Sequence, residues 1–159
     1  MKKLNKNGFT LVELLAVIVI LAVVILVAVN NVIPQMNKAK AGAFKTEALS
    51  FLDGAEQYYT SQQMTGGSFP ETGVSIKELV TGKYVKSADV DKYEGCIKYD
   101  AGTDKFQIRL WSNSYKTVNG SDHYVEATKL SDFNGEVTNS SVIQSTGKTT
   151  KDAYKCPTP

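Results

Sequence analysis

One stretch decides how this chain folds: GFTLVELLAVIVILAVVILVAV, which runs from Gly8 to Val29. After Gly8, every residue in it is apolar except Thr10 and Glu13. A helix of about 20 residues rises about 30 Å, the thickness of the hydrocarbon core of a bilayer. The stretch therefore predicts a membrane-spanning helix that carries a carboxylate near its start.

The residues around this apolar run set its orientation. Lys2, Lys3 and Lys6 precede it, and flanking lysines stay in the cytoplasm, so the rest of the chain is exported. A secretory signal peptide fits poorly, because its apolar part runs about 7–15 residues and ends at a small-residue cleavage site. A plain signal anchor explains the lysines and the span. It does not explain Glu13, which costs roughly 2.5–3.5 kcal/mol at a bilayer centre.

The composition argues against several classes of protein. Eighteen Lys and Arg against sixteen Asp and Glu leave a formal charge of +2, which gives no argument for nucleic acid as a partner. Two cysteines, Cys96 and Cys156, and one histidine, His123, are too few for a four-ligand zinc site. No phosphate-binding loop or nucleophile motif is present. We therefore expect a protein that is not an enzyme and has no cofactor.

The residues Gly8-Phe9-Thr10-Leu11-Val12-Glu13, between a lysine-bearing leader and a long apolar run, resemble the type IV prepilin signature. The resemblance covers residues 1 to about 34. It implies that a prepilin peptidase cuts between Gly8 and Phe9 and methylates the new Phe9 amine. It also implies partners: a membrane platform, an assembly ATPase, and other copies of the chain in a helical filament. Glu13 would pair with the Phe9 ammonium of a neighbouring copy, since a buried charge is tolerable when paired and costly alone.

The apolar segment departs from the commonest pattern of that family. Many such helices carry a glycine near the position of Ala22 and a proline near that of Asn30, whereas this chain has Pro34. Proline removes a helical hydrogen bond and clashes with the preceding turn. A kink or melted stretch of the family's kind is therefore expected around Asn30–Pro34. Two helices broken at Pro34 are the alternative.

Beyond Pro34 the pattern stays helical to about Gln62. Apolar residues recur at helical spacing and predict one stripe that packs on a domain. The stripe consists of Phe44, Ala48, Phe51, Leu52, Ala55, Tyr58 and Tyr59. Further on, Ser75-Ile76-Lys77-Glu78 is a capping-box pattern and predicts a short helix over residues 75–81.

Short strands follow this helix. Residues 95–99 and 106–111 flank a turn at 100–104 and predict a hairpin, and residues 123–127 predict another strand. The predicted fold class is α+β, with a long N-terminal helix packed on a small antiparallel sheet of three or four strands, similar to pilins. The predicted organisation is a leader (1–8), a transmembrane and assembly helix (9–33) and an exported head (34–159).

The two cysteines both lie in the exported part, where disulfides form and persist. We therefore expect a bond between Cys96 and Cys156 in preference to two free thiols. It would close a loop of about 60 residues and stabilise the fold by about 4 kcal/mol in the chain-entropy account. From about Lys129 the chain is polar, so this bond would tie down a tail that is poorly ordered when free. The arrangement resembles the C-terminal disulfide loop of many type IV pilins.

An acidic run precedes the first predicted strand of the hairpin. Asp89, Asp91 and Glu94 offer oxygen atoms, which calcium prefers as ligands. The glycine and the twelfth-position glutamate of a full calcium loop are missing, so a solvated acidic turn is the expectation and no metal is assigned.

Taken together, these features predict a structural subunit of a type IV pilus that serves adhesion, motility or DNA uptake. The precursor would be a single-pass protein of the inner or cytoplasmic membrane, and the assembled protein would form a cell-surface fibre. A pseudopilin of a type II secretion or competence system is the alternative. A plain single-span protein, or an exported enzyme that carries the motif by chance, is a third hypothesis.

Overall fold

The computed structural model describes residues 9–86, 90–119, 123–133, 141–145 and 151–157. The chain divides into two compact units, Met1–Asn37 and Lys38–Pro159. The first unit contains the apolar part of helix α1, which runs from Leu11 to Met64. The second unit contains the rest of α1 together with a sheet and several short elements.

Helix α1 continues through Pro34. The alternative of two helices is therefore wrong, and no melted stretch surrounds the proline. Proline removes the donor for one bond, to the carbonyl of Asn30, at a cost of about 3 kcal/mol, and the helix of 54 residues continues past it. The side-chain amide of Asn30 donates to the carbonyl of Leu26 at 3.3 Å. The amide of Asn31 makes the same bond to Val27, also at 3.3 Å.

The predicted apolar stripe of α1 packs against the sheet within the second unit. Its fully covered positions are Ala41, Phe44, Ala48, Phe51, Leu52, Gly54 and Ala55. Tyr58 and Tyr59 are half-buried and lie against the same core. The helix ends after Met64, where the amide of Gly67 returns to the carbonyl of Gln62 at 2.8 Å. The buried positions and the end of α1 therefore confirm the stripe and the helix end that the spacing of apolar residues predicted.

Within the described residues, six strands form one antiparallel sheet, more than the three or four predicted. They are β1 (Val74–Ser75), β2 (Tyr93–Asp100), β3 (Lys105–Ser112), β4 (Tyr115–Thr117), β5 (Val125–Glu126) and β6 (Val142–Gln144). The order is β1-β2-β3-β4-β6, and β5 also pairs with β3. Strands β2 and β3 pair along their whole length, which confirms the predicted hairpin.

Two short helices and two 3₁₀ turns complete the described fold. Helix α2 (Ile76–Thr81) begins at the predicted capping box, with Ser75 as the N-cap. Helix α3 (Ala127–Ser131) begins inside the predicted strand over 123–127, so that prediction is right only for β5. His123 has a positive φ of 59°, which is outside the extended region, so the strand begins only after this residue. The 3₁₀ turns are Val90–Lys92 and Lys151–Tyr154.

The two faces of the sheet are covered differently. On one face Tyr93 packs against Phe51 of α1, with ring centroids 5.6 Å apart. Because side chains alternate along a strand, Cys96 points to the opposite face. The 3₁₀ turn Lys151–Tyr154 contacts β2 and β3, and Tyr154 is fully buried. The described residues of the polar C-terminal stretch therefore belong to the packed head.

Candidate functional site at the start of the first helix

The predicted cleavage site lies at the edge of the described chain. Gly8 and the three leader lysines fall outside the described residues. Phe9 and Thr10 are described, precede the first helical residue Leu11 and have no helical assignment. Phe9 is 81% exposed. Cleavage and methylation at Phe9 stay predictions, and the described residues place Phe9 just outside the helix.

Glu13 is held at the start of α1 by Thr10. The backbone N–H and the hydroxyl of Thr10 both donate to Oε2 of Glu13, each at 2.9 Å. In return, the backbone N–H of Glu13 donates to the Thr10 hydroxyl at 3.3 Å. The arrangement is that of a capping box, in which a Thr and a Glu three residues later satisfy orphan amides at a helix start.

Thr10 is the functional candidate that the sequence analysis missed. The pattern Thr10-x-x-Glu13 has the same form as Ser75-x-x-Glu78, which was recognised as a capping box. The signal was therefore present in the sequence. The position of Glu13 in an apolar run indicates the membrane and the signature, whereas its spacing to Thr10 indicates the start of a helix.

The apolar surface that follows is exposed throughout the first unit. From Phe9 to Met36, the large apolar side chains are between 44% and 81% exposed. Within the part of the chain that the structure describes, α1 is the one helix long and apolar enough to cross a membrane. An exposed apolar surface of this extent marks a site that contacts lipid or another protein.

The two cysteines are joined, as the sequence analysis expected. Cys96 on β2 is fully buried and forms a disulfide with Cys156, with a Cα–Cα distance of 4.9 Å. Nearby, the hydroxyl of Tyr154 donates to the carbonyl of Thr117 at 2.9 Å. The ring of Tyr154 stacks on His123 with centroids 4.9 Å apart. The bond and these contacts attach the C-terminal segment to the sheet.

Burial of Tyr154 in this attachment changes the pKa of its hydroxyl. Burial raises the pKa of Tyr154 to about 12, although the positive charge of Arg109 opposes the rise. The guanidinium of Arg109 donates to the carbonyl of Lys155 and lies 4.9 Å from the centre of the Tyr124 ring. The direction of the shift is that expected for a buried phenol, because burial disfavours its charged form.

The acidic run does not form a cluster in the described residues. Asp89 lies outside them, Asp91 is in the first 3₁₀ turn, and Glu94 is on β2. No group of three His, Cys, Asp or Glu side chains that could hold a metal occurs in the described ranges. His123 packs on Tyr154, where it is part of the attachment described above.

Comparison with known proteins found a family model and a fimbrial relative. The family model of the prokaryotic N-terminal methylation motif matches residues 3–29. A fimbrial protein of Neisseria meningitidis serogroup B (strain ATCC BAA-335 / MC58) is 34% identical over 89 residues, which is 54% of this chain and 50% of that protein. This chain thus spans about half the length of the curated relative it matches. No solved structure gave a match.

These matches say what the chain is similar to. Residues 3–29 carry the prokaryotic N-terminal methylation motif, and a fimbrial protein is a partial relative of the chain. The α+β head with its long N-terminal helix has the pilin-like architecture expected from the sequence.

Proposed function

We propose that this chain is a structural subunit of a type IV pilus, polymerised through its N-terminal helix into a surface fibre. The precursor is anchored in the inner or cytoplasmic membrane, cut between Gly8 and Phe9, and methylated on the Phe9 amine. The proposal depends mainly on the exposed apolar surface of α1. This surface begins within the segment that carries the signature. The proposal assigns the chain no enzymatic role.

The exposed apolar surface is covered first by lipid and later by protein. In the precursor it lies in lipid, which is as apolar as the side chains themselves. In the fibre the same surface packs against the helices of other copies. An assembly ATPase and a membrane platform supply the work of extraction, since the free subunit is stable in the membrane.

Cleavage changes the charge at the start of the helix. It removes Lys2, Lys3 and Lys6, which would otherwise be buried in the fibre. It also creates an ammonium group on Phe9, and methylation preserves that charge. The ammonium and the Glu13 carboxylate then form an oppositely charged pair between neighbouring copies. Removing one partner of such a buried pair costs about 3–5 kcal/mol. Glu13 therefore fixes the position of each copy relative to its neighbour in the fibre.

The head supplies the outer surface of the fibre in this proposal. Its attached C-terminal segment lies on the sheet face away from α1, held by the Cys96–Cys156 bond. The fimbrial relative and the apolar helix both fit a membrane-anchored precursor and a surface fibre.

The experiment compares Glu13→Ala with Glu56→Ala in cells that make the protein. Both positions lie on α1, and Glu56 is exposed within the head. We expect both variants to be processed. Glu56→Ala should appear in the sheared fibre fraction at the wild-type level, and Glu13→Ala should be reduced at least about ten-fold.

Normal fibres from Glu13→Ala would contradict the proposed pairing. Processed wild-type protein that stays in the membrane fraction would contradict the surface pilus and favour the pseudopilin alternative. The comparison therefore separates the mechanism of assembly from the kind of fibre.

A further inference from the structure

We infer that Thr10 is a positioning residue for Glu13, which holds one carboxylate oxygen at the helix start and leaves the other for the ammonium of a neighbouring copy. This inference rests on the proposed function. It goes further because it assigns a task to a residue other than the two that pair.

The hydrogen bonds of Glu13 are unevenly shared between its two oxygens. Both donors of Thr10 reach Oε2, at 2.9 Å each. Among the described residues, none donates a hydrogen bond to Oε1. A carboxylate oxygen accepts more than one hydrogen bond, so an incoming ammonium can bind Oε1 without displacing Thr10.

The second capping box of the chain provides a reference for this geometry. At the start of α2, the N–H and the hydroxyl of Ser75 both donate to Oε2 of Glu78 at 2.8 Å. The N–H of Glu78 returns to the Ser75 hydroxyl at 3.2 Å. The two boxes are alike, but Glu78 lies on the exposed surface of the head and Glu13 begins an apolar helix. The same local motif is therefore placed in two very different environments.

In an apolar environment the capping box of Thr10 and Glu13 stabilises the carboxylate charge more than it would in water. Two donors and the positive end of the helix dipole partly compensate the Glu13 charge before any neighbour arrives. The side chain is also fixed in advance, so assembly does not pay the entropy of ordering it. A subunit without the Thr10 hydroxyl would present a mobile, poorly compensated carboxylate. It would assemble less well even though the pairing residues are intact.

The test compares Thr10→Val with Thr10→Ser in the full chain. Valine keeps the shape and the β-branch but has no hydroxyl, whereas serine keeps the hydroxyl and loses the methyl group. The quantity measured is sheared fibre protein divided by total processed protein, which removes any effect on cleavage. We expect Thr10→Val to lower this ratio about five-fold, the usual size of a lost cap, and Thr10→Ser to restore it.

Ser75→Ala is the matched control, since it removes the hydroxyl of the other box. It should leave the fibre ratio unchanged if the effect at Thr10 comes through Glu13 and not from loss of a cap as such. Wild type and Glu13→Ala are run alongside. If wild type forms no fibre, the proposed function fails. If these two behave as proposed and Thr10→Val matches wild type, the inference alone is overturned.

A second measurement applies even if Thr10→Val is not cleaved. Amide hydrogen exchange of the full chain in lipid nanodiscs reports directly on the N–H of Glu13, which donates to the Thr10 hydroxyl. We expect exchange at Glu13 to be about five-fold faster in Thr10→Val and unchanged in Thr10→Ser. Equal exchange in all three proteins would overturn the inference.

Discussion

At the scale of single residues, two glycines on α1 occupy opposite environments. A Cβ at Gly54 would overlap Cγ2 of Val85 and lie 3.1 Å from the carbonyl oxygen of Tyr84. A Cβ at Gly42 would meet nothing within 4 Å. Glycine in a helix interior costs about 1 kcal/mol relative to alanine. At Gly54 that cost is offset by close packing of the helix on the segment that contains Tyr84 and Val85.

We predict opposite effects of alanine at these two positions. Gly54→Ala should lower the free energy of unfolding by about 1–3 kcal/mol, because the methyl group overpacks the contact with Val85. Gly42→Ala should raise it by up to about 1 kcal/mol. Denaturant unfolding of the full chain in detergent, followed by Trp111 fluorescence, measures both. Stabilisation by Gly54→Ala would contradict the packing described for this part of the helix.

Single residues also show what the sequence could and could not predict. The bond between Cys96 and Cys156 was predictable because the chain has only these two cysteines, both in the part that is predicted to be exported. The hydrogen bonds between Thr10 and Glu13 were also predictable, because their spacing is that of a capping box. The need for glycine at position 54 was not predictable, because it depends on a contact with residues 30 positions away.

At the scale of elements, the strongly periodic segments were predicted well. The stripe of α1, the capping box of α2 and the β2–β3 hairpin all follow from local patterns. Strand β6 was not predicted, because Val142–Gln144 lies in a polar stretch with no alternation to mark it. It is ordered by pairing with β4 and by burial of Val142. Such long-range pairing leaves no signal in a short window of sequence.

The disulfide should contribute a large part of the stability of the head. Cys96 and Cys156 are 60 residues apart. A closed loop of that size restricts the unfolded chain by about 4 kcal/mol in the chain-entropy account. We therefore predict that reduction lowers the free energy of unfolding of the full chain by roughly that amount, measured by denaturant titration with and without reductant.

The control is a variant in which both cysteines are replaced by alanine. Its stability should be low from the outset and insensitive to reductant. If wild type and this variant unfold at the same denaturant concentration under oxidising conditions, the bond does not stabilise the head as described.

At the scale of the whole molecule, the chain combines two units with contrasting surfaces. The unit Met1–Asn37 exposes apolar side chains along α1, and the unit Lys38–Pro159 has its own packed core. A chain with such a surface needs lipid or another protein to cover the first unit. The proposed function follows from that need, with cleavage after Gly8 as the step that prepares the helix for burial in a fibre.

The most direct test of this account is the mass of the N-terminal peptide from protein sheared off cells that make it. We predict a peptide that begins at Phe9 and carries a methyl group on its amine. A sheared protein that still begins at Met1 would contradict the account, because Phe9 would then have no free ammonium to pair with Glu13.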